Sequence, residues 1–421
     1  MGMFAPLGEL TPTQWRAFIA AFLGWCLDAF DFFLVTFVIS KIADEFSLPI
    51  PKVAFAITIS LLFRPVGALI FGTLADRFGR RGPLMASVLL YSLFELLSGF
   101  SPNFTVLIVL RALYGIAMGG EWGVGAALAL ETLPPKARGI ASGILQQGYA
   151  TGYLIAALVF WLLFDHIGWR GMFFVGVAPA LLVFFIRSGV QESPVWTAGA
   201  AAKRASRGDV LRSITQQPML YVYAILLMAA FNFMSHGSQD LYPTFLQKQH
   251  GLPTAVVGQI TIFMNIGAIL GGTLLGGLSQ RLGRRATIIG CCVVGACIVP
   301  LWSGATTVVT LAVGAFLLQF FVQGAWGVVP AHLNELSPGE VRGTFPGFTY
   351  QLGNLITAFA AQWEATIATR NFPLPAPATA NYGHAMALIM FGVFAAVAIL
   401  AAIGKERRGI AFDEIALETP A

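Results

Sequence analysis

Charge is what this sequence has least of. Asp, Glu, Lys and Arg make up 11% of its 421 residues, against 57% hydrophobic residues and a mean hydropathy of +0.76. Soluble domains carry roughly a quarter of their residues as charges, so a soluble globular fold is excluded. Cysteine is almost as scarce. Cys26, Cys291, Cys292 and Cys297 have no metal-like spacing, and a helix turns neighbours such as Cys291 and Cys292 about 100° apart. They read as small core or lipid-facing residues. No His-Glu-x-x-His helix, Ser/His/Asp arrangement or phosphate-binding loop after a strand is evident, so neither an enzyme nor a cofactor is expected. The opening MGMFAPLGELTPTQWR lacks the basic region and small-residue cleavage site of a signal peptide. Pro6 stands where a myristoylation motif would have Ser or Thr. No segment is large enough for a separate soluble domain, which argues against a membrane receptor or sensor.

What is there is a series of apolar runs. Twelve, each near the roughly 20 residues that cross a bilayer, fall at 15–40, 53–75, 83–101, 105–127, 138–163, 168–187, 219–247, 255–280, 285–303, 305–331, 343–366 and 381–403. They are helices 1 to 12 of an all-α polytopic membrane protein. The net charge of +5 is no nucleic-acid signature, because the basic residues segregate by side. With helix 1 running outward, the termini and the loops after even-numbered helices hold 18 Lys or Arg, and the opposite loops hold five. The excess marks the cytoplasmic side, so both termini are expected there and the chain in a cell (inner) membrane, as a functional monomer.

Shifting the chain by 204 positions lays GTLADRFGRR (72–81) on GGLSQRLGRR (276–285), and GEWGVGAALALETLPPKARG (120–139) on GAWGVVPAHLNELSPGEVRG (324–343). Two six-helix bundles of one orientation follow: 1–188 and 218–404, joined by a polar linker at 189–217 with one short surface helix, and followed by a tail at 405–421. GTLADRFGRR resembles the signature after the second helix of the major facilitator superfamily, and ESPVW (192–196) is similar to the one after its sixth. The resemblance spans nearly the whole chain and implies that fold. It also implies a gating role for Asp76, Arg77, Arg80, Arg81, Arg138, Arg281, Arg284, Arg285 and Arg342; the plainer alternative is that the arginines only set topology. Gln280 replaces the acid of Asp76 in the second half, so a weaker gate is expected there.

The duplication separates shared residues from unshared ones. Asp28 aligns with Asn232, Asp31 with Ser235, Arg64 with Ala268, Arg111 with Ala315 and Glu121 with Ala325. Charges inside a membrane helix are expensive and usually face a cavity or a partner. Asp28, Arg64 and Asn232 lie near mid-depth at 1.5 Å per residue, and Asp28 and Asp31 share a face of helix 1. Arg64 either neutralises one of these acids or binds a substrate carboxylate by its fork, with Arg111 the second choice. Glu121 either carries a proton or bonds across helices. Glu95 and Glu364 are weaker candidates. His166, His250 and His384 are expected to be solvated at helix ends, and His332 to bond a neighbour.

Helix 7 carries FNFMSHGSQDLYPT (231–244). Asn232, Ser235, His236, Gln239 and Asp240 fall within an arc of about 140°, one polar face of a helix. His236 and Asp240 stand one turn apart, close enough to touch and to titrate as a unit. Pro243 interrupts the helix near its end. The plainer alternative is a polar bridge to helix 1 or 11 with no protonation change. N-x-x-S-H-x-S-Q-D-x-x-x-T resembles the helix 7 signature of the fungal lactate–pyruvate proton symporters, which with bacterial sialic acid permeases form the sialate:proton symporter branch. The resemblance implies a secondary transporter taking a small monocarboxylate with a proton, lactate or pyruvate first and sialic acid second. The site is then expected among helices 1, 4, 7 and 10. Arg64, Arg111, Asn232, Gln239, Tyr149, Trp326, Tyr350 and Gln351 would bind substrate, and His236 with Asp240 would take the proton, shared by Asp28, Asp31 or Glu121. A sugar acid would need more polar groups in the second half than are evident there.

Overall fold

The computed structural model describes residues 2–48, 50–200, 207–358, 360–372, 381–410 and 412. Among them every regular element is a helix. Helices 1 to 3 are Pro12–Phe46, Ile50–Phe78 and Arg81–Gly99. Helix 4 comes in two pieces, Phe104–Met118 and Glu121–Thr132, broken at Gly119 and Gly120. Helix 5 is Arg138–Gln146 continued by Gly148–Val175, which leaves helical geometry at Gly168 (φ 62°). The chain turns back there, and the remainder with Ala180–Gly189 forms helix 6. Helices 7 to 9 are Pro218–Gln239, Thr254–Leu282 and Arg284–Gly304. Helix 10 is Val308–Trp326 with Val329–Leu336, helix 11 Phe345–Thr357 with Ala360–Asn371, and helix 12 Tyr382–Ile403. Among the described residues, ten stretches are long and apolar enough to cross a membrane. One of them, Pro135–Gly189, holds both helices 5 and 6, while the more polar helix 11 is not among them, which accounts for the twelve crossings.

Local chemistry sets the boundaries. Thr11 and Gln14 form a reciprocal capping box before Pro12, satisfying N–H groups that helix 1 leaves open. Asn103 caps helix 4, and Thr307, 204 residues on, opens helix 10 with a second capping box. The tight turns Pro135–Ala137 and Gly339–Val341 are repeat partners too. Helices 2 and 4 touch backbone to backbone: a Cβ on Gly115 would collide with the Ser60 carbonyl, and one on Gly119 with that of Arg64. Such small-residue contacts substitute in lipid for hydrophobic driving force, and this one fixes where Arg64 starts its reach.

The linker holds two helices rather than one, Pro194–Ala200 and Arg207–Gln216, with 201–206 outside the described residues. Residues 373–380 and 413–421, in the predicted outer loop and tail, also lie outside them.

Candidate functional site

Seven helices surround a cavity of about 450 Å³ between the two bundles. Its walls come from helix 1 (Trp25, Phe32, Phe33, Thr36), helix 2 (Ile57, Leu61, Arg64), helix 5 (Gln146, Gln147, Tyr149, Tyr153), helix 7 (Asn232 to Pro243), helix 8 (Thr261, Asn265), helix 10 (Gln323, Trp326) and helix 11 (Tyr350, Asn354). Its volume is in the range of small-molecule sites. Helix 4, expected among the walls, is not one: its glycines press it against helix 2, and helices 2, 5, 8 and 11 line the space instead.

Arg64 reaches the cavity from behind. One terminal nitrogen donates to Asp28 Oδ1 at 3.1 Å and also meets Met118 Sδ at 2.6 Å, and the guanidinium lies 5.1 Å from the Phe32 ring centre. Both charges of this pair are buried. Arg64 therefore neutralises Asp28, as the first reading has it, and also lines the cavity.

The polar face of helix 7 does point inward. Asn232, Ser235, His236, Gln239 and Asp240 all line the cavity, and His236 Nδ1 lies 3.0 Å from Asp240 Oδ2. The helix ends at Gln239, and a short turn and a wide π-type turn carry the chain past Pro243. Ser238, on the other side of the helix, is buried and accepts from Gln319 Nε2 at 2.8 Å, while Gln239 donates to Gln319 Oε1 at 2.8 Å. Gln323 Nε2 approaches Ser235 Oγ at 3.4 Å. These helix 10 glutamines were missed from sequence; their signal was a pair one turn apart in an otherwise apolar helix. Thr261 and Asn265, one turn apart on helix 8, carried the same signal. Together with Asn354 they show that the second half is well supplied with polar groups, correcting the expectation that it is not.

Other expected residues lie elsewhere. Arg111 is buried outside the lining, donating to Glu95 at 2.5 Å and to Ser98 Oγ at 3.1 Å with its guanidinium 3.9 Å from the Tyr114 ring centre. The deep carboxylate of Glu95, on the neighbouring helix 3, captured it. Glu121 opens the second piece of helix 4 and packs against Gly24 of helix 1, with no hydrogen-bond partner for either oxygen among the described residues. Asp31 is likewise buried and, among the described residues, unpartnered behind helix 1, because helix 1 turns that face toward its own bundle. Gln351 is buried one residue past Tyr350 and off the wall, whereas Tyr149, Trp326 and Tyr350 are on it. His166 and His384 are exposed, but His250 is half-buried against Phe245, and His332 is buried with neither ring nitrogen partnered among the described residues.

Among the described residues, the buried side-chain polar atoms of the lining that lack a partner are Trp25 Nε1, Arg64 Nε, Gln147 Nε2, Asn232 Nδ2 and Trp326 Nε1. All five are N–H donors. Buried polar groups are rarely left unpaired, so such a set calls for acceptors.

The end of the bundle that carries both termini is shut. Asp76 accepts from the N–H groups of Gly343 (2.7 Å) and Thr344 (3.0 Å) and from Thr344 Oγ1 (2.6 Å), across the two halves. Ser142 donates to the Gly327 carbonyl at 2.7 Å and accepts from Ala331 N at 3.0 Å. A Cβ on Gly123 would stand 2.7 Å from Gly347 Cα. Above this seal Trp25, Tyr149, Trp326 and Tyr350 pack ring on ring, with Trp25 and Tyr149 stacked at 5.4 Å. Within each half Arg80 grips Glu131 (2.9 and 3.1 Å) and Arg284 grips Glu335 (2.8 and 2.9 Å). The Glu192 carboxylate accepts from the N–H groups of Arg80 and Arg81, and Glu406 does the same for Arg284 and Arg285. Arg138 and Arg342 each stand over the ring of Phe412, at 3.5 and 4.2 Å. Arg77 is exposed beside Phe78, and the Arg281 carbonyl accepts from Arg408. Arg80 and Arg284 thus hold the interior of each half, whatever part they play in gating.

Residues 21–361 match the family model described as Major Facilitator Superfamily. The chain is similar to a carboxylic acid transporter protein homolog of Saccharomyces cerevisiae, 30% identical over 95% of this chain and 70% of that one. It is similar to the sialic acid transporter NanX of Escherichia coli, 28% identical over 82% and 85% of the two chains. Its fold is similar to that of the proton:xylose symporter XylE bound to a bromo-deoxy-glucose, with a TM-score of 0.77 at 18% identity, covering 96% of this chain and 98% of the other.

Proposed function

The chain belongs to the major facilitator superfamily, and we propose that this multi-pass membrane transporter carries a small organic monocarboxylate together with a proton by alternating access. The observation that supports the substrate class best is the cavity's unpartnered donors: five buried side-chain N–H groups and, among the described lining residues, no unpartnered buried side-chain acceptor. A carboxylate supplies the missing acceptors, and the free edge of Arg64 gives it a charged anchor. Asn232 and Gln239 orient the anion or its hydroxyl group. Lactate and pyruvate are the simplest such substrates, in keeping with the carboxylic acid transporter homolog and the helix 7 pattern.

Charge balance supplies the reason for coupling. Arg64 and Asp28 are already a neutral pair, so a bound carboxylate leaves one uncompensated negative charge near mid-membrane. A proton taken up at His236 and Asp240, or at Asp28, removes it and makes the loaded carrier cheaper to reorient. With both termini in the cytoplasm of a cell whose inner membrane holds the chain as a monomer, the shut end is the inner one and the cavity faces out.

Counterflow in proteoliposomes tests the substrate class. Labelled lactate should accumulate transiently against unlabelled lactate or pyruvate trapped inside, and external carboxylates should compete. No counterflow with any small carboxylate would reject the reading, and a uniform leak would indicate a channel.

A sugar acid such as sialic acid is the second reading. Thr261, Asn265, Gln323 and Asn354 favour it, because a hydroxyl-rich substrate needs polar partners from the second half. Stronger competition by sialic acid than by pyruvate would decide for it.

A further inference from the structure

A second cavity, of about 460 Å³, lies on the outer surface of the first bundle, between the start of helix 3 and the end of helix 6. Arg81, Gly82, Met85, Leu89, Val183, Arg187 and Glu192 line it, so one end is cationic and the other apolar. The apolar end continues into bare helix surface: Leu89 is 48% exposed and Phe184, on the same helix as Val183, 70%. Arg81 is the first residue of helix 3 and Arg187 lies in the last turn of helix 6, which puts the cationic end where the membrane meets water on the termini side.

The duplicated half supplies a control. Arg285, the repeat partner of Arg81, spends its Nε on the Ala401 carbonyl at 2.7 Å and a terminal nitrogen on Ala402, so it closes the end of helix 12 completely. Arg81 holds the end of helix 6 by one terminal nitrogen on the Arg187 carbonyl, and its buried Nε has no partner among the described residues. The Arg187 guanidinium makes no hydrogen bond or ion pair among the described residues. Glu192, the acid on this wall, is already committed: its carboxylate accepts from the N–H groups of Arg80, Arg81 and Ser193. One half therefore leaves cationic donors uncommitted beside an apolar groove where the other half has engaged them.

We infer that this groove is a binding site for an anionic phospholipid, its phosphate on Arg81 and Arg187 and an acyl chain along Met85, Leu89 and Val183. Basic pockets between helices on this side of a membrane suit anionic headgroups, and the guanidinium fork matches phosphate. A free phosphate would use the arginines but leave the apolar wall bare. The occupant sits against the Glu192 clamp on helix 3, next to the Arg80 and Glu131 pair of the gate.

Native mass spectrometry of the purified full chain titrated with phosphatidylglycerol, phosphatidylcholine or inorganic phosphate tests the site. Wild type should hold one phosphatidylglycerol in preference to phosphatidylcholine, and millimolar phosphate should not displace it. Arg187→Gln should weaken that binding about tenfold, and Leu89→Trp, which fills the apolar wall, should do so without touching a charge. Both variants should keep wild-type counterflow in phosphatidylcholine vesicles, which shows that they are folded. Equal retention of phosphatidylglycerol by wild type and both variants would overturn the assignment, as would displacement by phosphate at millimolar concentration.

Discussion

Asp76 and Gln280, 204 positions apart, each accept a hydrogen bond from the repeat-equivalent glycine of the opposite half: Gly343 N–H to Asp76 at 2.7 Å and Gly139 N–H to Gln280 at 3.2 Å. The two seams of the closed end are thus one device used twice. They differ in strength, because Asp76 is a carboxylate with three donors across the interface. Bonds to a charged acceptor contribute about 1.5–3 kcal/mol each and neutral ones about 1. Asp76→Ala should shift the equilibrium toward opening of the termini end by at least about a thousandfold, and Gln280→Ala by about fivefold. Spin-label distances across that end read the shift. Equal responses would show that the two seams carry equal weight.

The buried pairs inside each half hold the bundles rather than the gate alone. Removing one partner of a buried ion pair leaves the other charge stranded, which costs about 3–5 kcal/mol. Arg80→Gln and Arg284→Gln should each lower Tm in detergent by several degrees. Lys136→Gln, which breaks an exposed contact with Glu9, should change stability by less than about 0.5 kcal/mol.

Arg64 and Arg111 are both buried arginines, yet only one reaches the cavity. Arg64→Lys should reduce substrate uptake at least about a hundredfold, since an ammonium does not reproduce the fork that serves Asp28 and substrate together. Arg111→Lys should leave KM within about twofold of wild type and act on Tm through Glu95. A raised KM in Arg111→Lys with normal stability would return Arg111 to the binding site.

Phe412 ties the chain's end into the closed state, with Arg138 of one half and Arg342 of the other on its ring and the Ile410 carbonyl accepting from Arg138 at 2.8 Å. Cation–π contacts of this kind contribute about 0.5–2 kcal/mol. Phe412→Ala should open the termini end about three- to tenfold more often, measured by thiol accessibility of a cysteine placed there. Unchanged accessibility would make the tail a bystander.

Much of this was legible from residues alone. The repeat placed Arg80 against Arg284 and Glu131 against Glu335 before any contact was visible, and helical periodicity put His236 and Asp240 on one face. What failed were choices of partner. Periodicity says which way a side chain leaves its own helix, but not which neighbour it meets, so Arg111 was assigned to the cavity when Glu95 had captured it. Helix 4 dropped out of the wall because Gly115 and Gly119 let helix 2 come between, a packing effect with no signature in polarity. Gln319 and Gln323 were overlooked because uncharged amides stand out less than charges, although they complete the helix 7 face.

Proton coupling through His236 and Asp240 is the central claim, and one experiment addresses it directly: uptake of labelled lactate into proteoliposomes with and without an imposed proton gradient, for wild type and His236→Gln. The account predicts gradient-driven accumulation by wild type. For His236→Gln it predicts counterflow retained within a few fold and the response to the gradient lost. Lactate entry by wild type that ignores the gradient would contradict coupling, and a full gradient response in His236→Gln would contradict its assignment to this pair.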